Sequence, residues 1–161
     1  MLRYLYCKEV FQEIPDEISL GISISGCQIR CRGCHSRELW ENSGIPLTSH
    51  ELDRLIGKHN GITCVLFMGG EHDVDTLIEL LEGVPDSLKK AWYCGYDIIP
   101  RGDVRILTHL DYVKLGHYDM ELGGLDSPST NQKLLKRTSE SNNLTDWENL
   151  NFKLQKNENQ N

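Results

Sequence analysis

Residues 18–24, ISLGISI, alternate strictly between large apolar side chains and small ones. A period of two predicts a β-strand with one buried face. Residues 62–68, ITCVLFM, form a continuous apolar run instead, which is typical of a strand covered on both faces. Residues 89–96 predict another strand and turn, and residues 102–116 predict a helix or turn that leads into the strand DYVKLG.

Helical patterns separate these strands. Residues 48–56 begin with Thr48 and carry Glu51 three positions later, a capping box that predicts a helix start. Residues 74–83 place apolar side chains on one helical face and end at a glycine. This alternation favours an α/β fold with a mostly parallel sheet. Since eight βα units need about 250 residues and the chain has 161, we expect a partial, open βα barrel.

The C-terminal region differs in composition from the rest of the chain. We expect residues 1–137 to form one domain and residues 138–161, rich in Asn, Ser and Glu, to form a polar tail. Within the tail, apolar residues recur at helical spacing, so that a short docked helix around residues 145–155 is an equal alternative. The recurring residues are Leu144, Trp147, Leu150 and Leu154.

The charge balance is acidic. The chain carries 17 Lys and Arg against 24 Asp and Glu, a formal net charge of −7. This argues against a nucleic-acid or anionic-membrane surface, because both require clustered basic residues. No apolar run of membrane-spanning length occurs, and the N-terminal residues lack the apolar region of a signal peptide. We therefore expect a cytoplasmic protein, in which thiols remain reduced.

Three of the six cysteines fall within residues 25–36, SGCQIRCRGCHS, and His35 follows the last of them. In a reducing compartment such a cluster indicates metal binding or redox chemistry rather than disulfides. The other three cysteines are isolated in apolar surroundings, and we interpret them as packing residues. The clustered set is Cys27, Cys31 and Cys34, and the isolated set is Cys7, Cys64 and Cys94.

Three thiols match an iron–sulfur cluster better than zinc. A structural zinc site needs four ligands, and here His35 is the only local candidate for the fourth. Adjacent Cys and His side chains are poorly placed to bind one small ion, and no second ligand pair follows along the chain. A [4Fe–4S] cluster held by three thiolates keeps one iron open for a reactant. Gly26 and Gly33 would allow the backbone to wrap closely around such a cluster.

Two motifs resemble the radical S-adenosylmethionine (SAM) enzymes. CQIRCRGC, residues 27–34, resembles their cluster motif, and FMGGE, residues 67–71, resembles their Gly-Gly-Glu motif. The resemblance is closest to the activating proteins of anaerobic ribonucleoside-triphosphate reductase and extends over residues 2–136. Further stretches that carry it are VFQEIPDEISLGISISGC (10–27), GCHSRELWENSGIPLT (33–48), AWYCGY (91–96), DYVKLGHY (111–118) and LDSPSTNQKL (125–134).

The resemblance implies a specific reaction. In this family the open iron is chelated by the amino and carboxylate groups of SAM, and an electron from the cluster cleaves the sulfonium bond. The 5′-deoxyadenosyl radical so formed abstracts hydrogen from a glycine of the partner, here the large subunit of anaerobic ribonucleoside-triphosphate reductase. A flavodoxin or ferredoxin is the implied electron donor. The protein positions the cofactors and excludes water.

The same resemblance implies roles for individual residues. Iron binding is assigned to the three clustered thiols, Cys27, Cys31 and Cys34. Gly33, Cys34 and His35 form the segment that the family uses against the adenine. The amino group of methionine is received by three residues after the second strand of the pattern, Gly69, Gly70 and Glu71. Backbone carbonyls and a carboxylate suit that role, because both accept hydrogen bonds from an ammonium group.

Two alternatives remain open on the sequence alone. The chain could activate another glycyl-radical enzyme of the pyruvate formate-lyase type, although activators of that type are generally longer. It could instead be a non-enzymatic zinc module, with the three clustered thiols and either His35 or His50 as ligands. Two other residues are weaker candidates: Lys114 could face the open end of the sheet or snorkel, and His72 follows the Gly-Gly-Glu motif directly.

Overall fold

The computed structural model describes residues 1–155 as a mixed α/β fold around one eight-stranded sheet. The strands are β1 (Arg3–Val10), β2 (Ser19–Ile24), β3 (Ile45–Pro46), β4 (Cys64–Met68), β5 (Lys89–Tyr93), β6 (Tyr112–Leu115), β7 (Lys133–Lys136) and β8 (Glu148–Asn149). The α-helices are α1 (Ser49–Gly57), α2 (Val74–Gly83) and α3 (Asn151–Leu154). Short 3₁₀ segments occupy Arg37–Trp40, Pro100–Gly102, Val104–His109 and Leu144–Asp146.

The middle of the sheet is parallel and its margins are antiparallel. The strand order is β3-β1-β2-β4-β5-β6-β7-β8. Strands β2, β4, β5 and β6 pair in parallel, whereas β1, β3, β7 and β8 are added antiparallel at the two sides. The prediction of an α/β fold with a parallel centre is therefore confirmed. Closure toward a partial barrel remains a prediction.

The capping box predicted at the start of α1 is formed only in part. Thr48 caps α1 by accepting a hydrogen bond from the Glu51 backbone N–H at 3.1 Å. The Glu51 carboxylate does not complete the capping box, because it binds the Tyr4 hydroxyl and the Arg54 guanidinium instead. Helix α2 matches the predicted range and is capped by Asp73, which accepts from the Thr76 backbone N–H. Residues 102–116 form a 3₁₀ segment followed by β6, as expected.

Alternation along the parallel strands separates two faces of the sheet. One row places Ile22, Phe67, Trp92 and Val113 side by side in register, and all four are fully buried among residues of α1, α2 and the 3₁₀ segment Val104–His109. The next row places Ser23, Met68, Tyr93 and Lys114 side by side, and it belongs to the opposite face. That opposite face has a smaller core and carries more polar groups toward the carboxyl ends of the strands.

The C-terminal segment docks on the sheet, and the helix considered for residues 145–155 is present as one short turn, α3. The segment consists of a 3₁₀ turn, the short strand β8 and the single turn α3. A continuous helix is displaced because Trp147 and Leu150 turn into the core and are nearly inaccessible to solvent. Asn151 then bridges the segment to β7 through its side chain, which accepts from the Leu134 N–H at 2.9 Å. The division of the chain at residue 137 stays a prediction.

Within residues 1–155, none of the helices combines the length and apolar character that crossing a membrane requires. The longest of them, α2, has 10 residues and is capped at its start by a charged side chain. Its apolar face is already covered, since three of its leucines belong to the core. Helices α1 and α2 therefore serve to cover one face of the sheet.

Candidate functional site

The candidate residues gather at the carboxyl ends of the parallel strands. The loop that follows β2, residues 25–36, carries the three clustered cysteines and is called the cysteine loop below. Residues 69–71, the Gly-Gly-Glu turn, follow β4, and residues 94–99 follow β5. Because parallel strands end at the same edge of a sheet, these loops are neighbours. This edge is where open α/β sheets usually bind ligands.

Two backbone hydrogen bonds hold the cysteine loop, one within it and one to the segment that follows it. The Cys34 N–H donates to the Cys31 carbonyl at 3.1 Å, which closes a four-residue turn. Gly33 occupies the third position of that turn with φ +77°, a conformation that glycine adopts without strain. The Cys27 N–H donates to the Leu39 carbonyl at 2.9 Å and fixes the start of the loop. The spacing of two residues between Cys31 and Cys34 therefore brings them together in one turn.

The three thiols are accessible and suited to iron–sulfur ligation. Cys27, Cys31 and Cys34 are all half-buried, and the Ser36 N–H donates to the Cys34 Sγ at 3.4 Å. Hydrogen bonds to sulfur are among the groups that tune iron–sulfur clusters. In residues 1–155, no group of three or more His, Cys, Asp or Glu side chains converges on a position for one metal ion. A four-iron cluster does not need such convergence, because its thiolates bind separate irons.

The alternative zinc ligands lie apart from a common centre. The His35 side chain is exposed, and its ring lies 5.4 Å from the ring of Tyr118, between centroids. His50 is exposed in the first turn of α1. The donor set of three soft thiolates on one loop therefore fits an iron–sulfur cluster, and it does not form a closed four-ligand zinc site in the described chain.

The Gly-Gly-Glu turn is built for close approach between backbones. Gly69 and Gly70 have φ +102° and +92°. A Cβ on Gly69 would lie 3.2 Å from the Ile24 carbonyl oxygen, at the end of the neighbouring strand β2. The Gly69 carbonyl accepts a hydrogen bond from Trp92 Nε1 at 2.8 Å. The turn is thereby held against the strand that leads into the cysteine loop.

Glu71 connects this turn to the cysteine loop. Its carboxylate is buried, and Oε1 accepts a hydrogen bond from the Gly95 N–H at 2.6 Å. A Cβ on Gly95 would lie 2.4 Å from Ile29 Cδ1 and 3.4 Å from Glu71 Oε1. Ile29 lies between Cys27 and Cys31, so that Glu71, Gly95 and the cysteine loop form one packed unit.

His72 contacts the beginning of the cysteine loop. A Cβ on Gly26 would lie 3.3 Å from both Cε1 and Nε2 of the His72 ring. The His72 Nδ1 atom is buried and has no hydrogen-bond partner among residues 1–155. His72 therefore lies beside the start of the cysteine loop.

Lys114 is the buried cation of the site. Its Nζ donates to the Gly116 carbonyl at 3.1 Å and lies 5.4 Å from the centroid of the Tyr93 ring. Burial lowers the pKa of Lys114, while the nearby Glu71 carboxylate acts in the opposite direction. Since burial has the larger effect, the ammonium group is held where a further anion would stabilise it.

A cavity of about 1170 Å³ lies against the face of the sheet that carries Lys114. Tyr93 and Lys114 line it from the strands, and His35 lines it from the cysteine loop. Its remaining walls come from the β1–β2 connection, from the loop before β7 and from α3, through Asp16, Gln132 and Leu154 among others. The cavity is therefore open to the candidate site and large enough for more than a small molecule.

The structure brings together most of the residues that the sequence predicts. The cysteine loop and the Gly-Gly-Glu turn meet through Ile29, Gly95 and His72. The sequence pattern does not single out Gly95, although it lies in the stretch AWYCGY, because a single glycine after a strand is a common turn signal. Tyr93 and Gln132 escape sequence reasoning as well, since nothing in their local pattern distinguishes them from packing or turn residues.

The three isolated cysteines are packing residues, as predicted. Cys64 and Cys94 are fully buried, and Cys7 packs against the core beside the sheet. Burial raises the pKa of Cys64 and of Cys94 to about 12 and that of Cys7 to about 11. These thiols therefore stay protonated and poorly nucleophilic near neutral pH.

Comparison with known proteins gives one match. The model of the 4Fe-4S single cluster domain family matches residues 18–135, more than two thirds of the chain. The matched region begins at β2, ends in β7 and includes the cysteine loop and the Gly-Gly-Glu turn. No curated protein and no solved structure shows a significant match.

Proposed function

Because the chain belongs to the 4Fe-4S single cluster domain family, we propose that it is a radical SAM enzyme and that Cys27, Cys31 and Cys34 hold its [4Fe–4S] cluster. Its proposed reaction is the activation of anaerobic ribonucleoside-triphosphate reductase by formation of a glycyl radical. The cluster, when bound, supplies the electron that cleaves SAM, and the resulting 5′-deoxyadenosyl radical abstracts hydrogen from a glycine of the partner.

One observation carries this proposal beyond an iron–sulfur protein. The cysteine loop and the Gly-Gly-Glu turn, which are more than 30 residues apart along the sequence, pack together through Ile29, Gly95 and Glu71. A cluster held on this loop would thus have a buried carboxylate beside it. An electron-transfer site alone has no need of such a carboxylate, because negative charge near a cluster opposes its reduction.

The chain supplies groups of both charges for an amino acid. The Glu71 carboxylate suits the ammonium group of methionine, since charge-assisted hydrogen bonds are strong in a buried site. The Lys114 ammonium suits the methionine carboxylate, and it is the buried lysine on the cavity wall. Gly69 and Gly70 leave room for the cofactor to approach the backbone. Gly33 and His35 belong to the part of the cysteine loop where the adenine would lie.

The cavity beside Lys114 suits a macromolecular substrate. Its volume of about 1170 Å³ exceeds that of most small-molecule sites, which fall in the range of about 300–1,000 Å³. SAM would therefore leave space for an extended segment of a partner protein. We further propose a cytoplasmic location, because cluster thiolates require a reducing compartment.

Anaerobic purification followed by three measurements tests the proposal. Iron and sulfide analysis should show about four of each per chain. Addition of SAM and dithionite should yield 5′-deoxyadenosine. Addition of the candidate reductase should then produce a glycyl-radical signal in electron paramagnetic resonance.

The possible failures lead to different conclusions. Cleavage of SAM without a radical on the reductase would leave the radical SAM assignment intact and direct the search to another glycyl-radical enzyme, such as one of the pyruvate formate-lyase type. A colourless protein with one zinc per chain after strictly anaerobic handling would refute the assignment.

A further inference from the structure

We infer that the outer surface of the cysteine loop is the docking site for an acidic one-electron carrier protein, and that Arg30, Arg32 and Arg37 form its contact surface. This inference rests on the proposed function, because only a cluster that must be reduced needs such a partner. It adds a surface and a kind of partner that the site itself does not specify.

The loop is positively charged in an acidic protein. The chain as a whole has a formal charge of −7. Residues 28–37, by contrast, contain three arginines and no Asp or Glu. All three arginines are exposed. An acidic partner approaching this protein is therefore repelled by its net charge and attracted to this segment.

Two of the arginines are arranged around one indole ring. The guanidinium carbons of Arg30 and Arg37 lie 5.6 and 5.5 Å from the centroid of the Trp40 ring. Arg30 also forms an exposed ion pair with Glu41 at 3.8 Å. Stacking on an aromatic face leaves the N–H groups of a guanidinium free to contact carboxylates of a partner. The arrangement fixes the positive groups without using up their donors.

The arginines are next to a cluster ligand. Arg30, Cys31 and Arg32 line the same pocket of about 370 Å³. The part of the pocket outside the cysteine loop carries Asp119 and Glu121. The arginine charges of the pocket therefore all belong to the cysteine loop. A carrier that contacts this loop would reach the cluster over a short distance. One electron would leave the carrier and enter the cluster, with no bond or proton exchanged.

Arg30 is held in an unfavourable backbone conformation. Its φ is +52°, in the left-handed region that glycine and asparagine adopt most easily. A glycine would relieve this strain, as Gly33 does three residues later. Strained non-glycine residues cluster at functional sites. The presence of a long basic side chain here therefore points to a role for the guanidinium itself.

This surface is separate from the large cavity. The pocket with Cys31 and the cavity with Lys114 have no lining residue in common within the described chain. A carrier and the substrate protein could thus bind at different places. The short duration of electron-transfer encounters fits a small, charge-guided contact rather than an extensive apolar one.

The test compares two double variants of the cluster-loaded protein that remove the same charge. Arg30→Ala with Arg32→Ala removes two positive charges beside Cys31. Lys58→Ala with Lys89→Ala removes two exposed charges outside the cysteine loop, one at the C-terminal end of α1 and one at the start of β5. The probe is a purified acidic flavodoxin, and its flavin fluorescence reports the Kd at low and at physiological ionic strength. We expect the arginine variant to raise the Kd about 10-fold and to flatten its salt dependence, and the lysine variant to change neither.

A single variant separates docking from a structural role. Arg30→Gly should raise the Tm, because it relieves the strained φ, and should still weaken flavodoxin binding. Wild-type affinity in both arginine variants would refute the inference. A loss of dithionite-driven SAM cleavage as large as the loss of flavodoxin binding would also refute it, because the arginines would then serve the cluster itself. A loss of reductase binding with unchanged flavodoxin binding would refute it as well. If the wild type binds flavodoxin but cannot cleave SAM with dithionite, the proposed function fails while the docking surface stands.

Discussion

The buried Glu71 carboxylate accepts a hydrogen bond from the backbone N–H of Gly95, with 2.6 Å between Oε1 and the nitrogen. This bond joins the turn after β4 to the loop after β5. Because the Ile29 side chain packs directly over Gly95, the position of the cysteine loop depends on the same contact. A change at either residue should therefore affect both the cluster loop and the carboxylate that lies beside it.

Replacement of Glu71 should separate its structural role from its binding role. Glu71→Gln keeps an acceptor for the Gly95 N–H, so we expect almost unchanged stability. Glu71→Ala leaves that partly buried N–H without its acceptor and should lower the free energy of unfolding by about 1–3 kcal/mol. Both variants lose the negative charge and should raise the Kd for SAM about 10- to 100-fold. Urea unfolding and equilibrium dialysis measure the two effects, and SAM affinity retained in Glu71→Gln would contradict the binding role.

Gly95→Ala should disturb the cysteine loop without unfolding the sheet. The added methyl group would meet Ile29 Cδ1 at 2.4 Å, so the Ile29 side chain or the loop that carries it must shift. We expect a lower iron content after reconstitution and a nearly unchanged Tm. Gly57→Ala is the matched control, because a methyl group there meets nothing within 4 Å. Adding Ile29→Val, which removes Cδ1, should restore the iron content of Gly95→Ala; no recovery would mean that this contact is unimportant.

The three clustered cysteines and the two fully buried ones should fall into two functional groups. Cys27→Ala, Cys31→Ala or Cys34→Ala should each prevent stable cluster binding and abolish formation of 5′-deoxyadenosine. Cys64→Ala and Cys94→Ala should keep the cluster and lower the free energy of unfolding by about 1 kcal/mol, because each leaves a small cavity in the core. Iron analysis and chemical unfolding distinguish the groups. Stoichiometric loss of iron in either core variant would overturn the ligand assignment.

Regular periodicity makes the centre of the fold predictable from the sequence. Strand β2 follows from alternation, and β4 follows from a continuous apolar run. Helix α2 is predictable at its observed bounds because its apolar face is unambiguous. The cysteine loop and the Gly-Gly-Glu turn are recognisable because closely spaced thiols followed by paired glycines after a strand occur together in few kinds of site.

Features that depend on tertiary contacts are not predictable in this way. The pattern around residues 145–155 suggests a helix, but only the turn α3 forms there, because Trp147 and Leu150 enter the core from a segment that pairs with β7. The role of Gly95 depends on Ile29 and Glu71, each more than 20 residues away along the chain. The burial of Lys114 depends on its register beside Tyr93, which periodicity within DYVKLG does not reveal.

Lys114→Met should stabilise the protein in a pH-dependent manner and weaken SAM binding. Burial lowers the pKa of Lys114 below its ordinary value of 10.5. Below that lowered pKa, Lys114 is charged in both the folded and the unfolded chain. The folded state is then destabilised by the full free-energy cost of burying the charged ammonium group. Between the lowered pKa and 10.5 the unfolded chain binds more protons, and wild-type stability rises with pH. The stability advantage of Lys114→Met should therefore be largest near neutral pH and decrease toward about pH 10.

Urea unfolding of both proteins across this pH range measures the difference, and Lys136→Met is the control. Lys136 is exposed on the neighbouring strand β7, and its Nζ also lies over an aromatic ring, 6.0 Å from the centroid of Tyr112. Its replacement should change neither the stability profile nor the Kd for SAM. The Gly116 carbonyl keeps a donor in Lys114→Met, because Gln132 Nε2 also binds it at 3.3 Å. A stability difference that stays constant at every pH would show that Lys114 has the same pKa in the folded and unfolded chain. Undiminished SAM affinity would show that its ammonium group does not bind the methionine carboxylate of SAM.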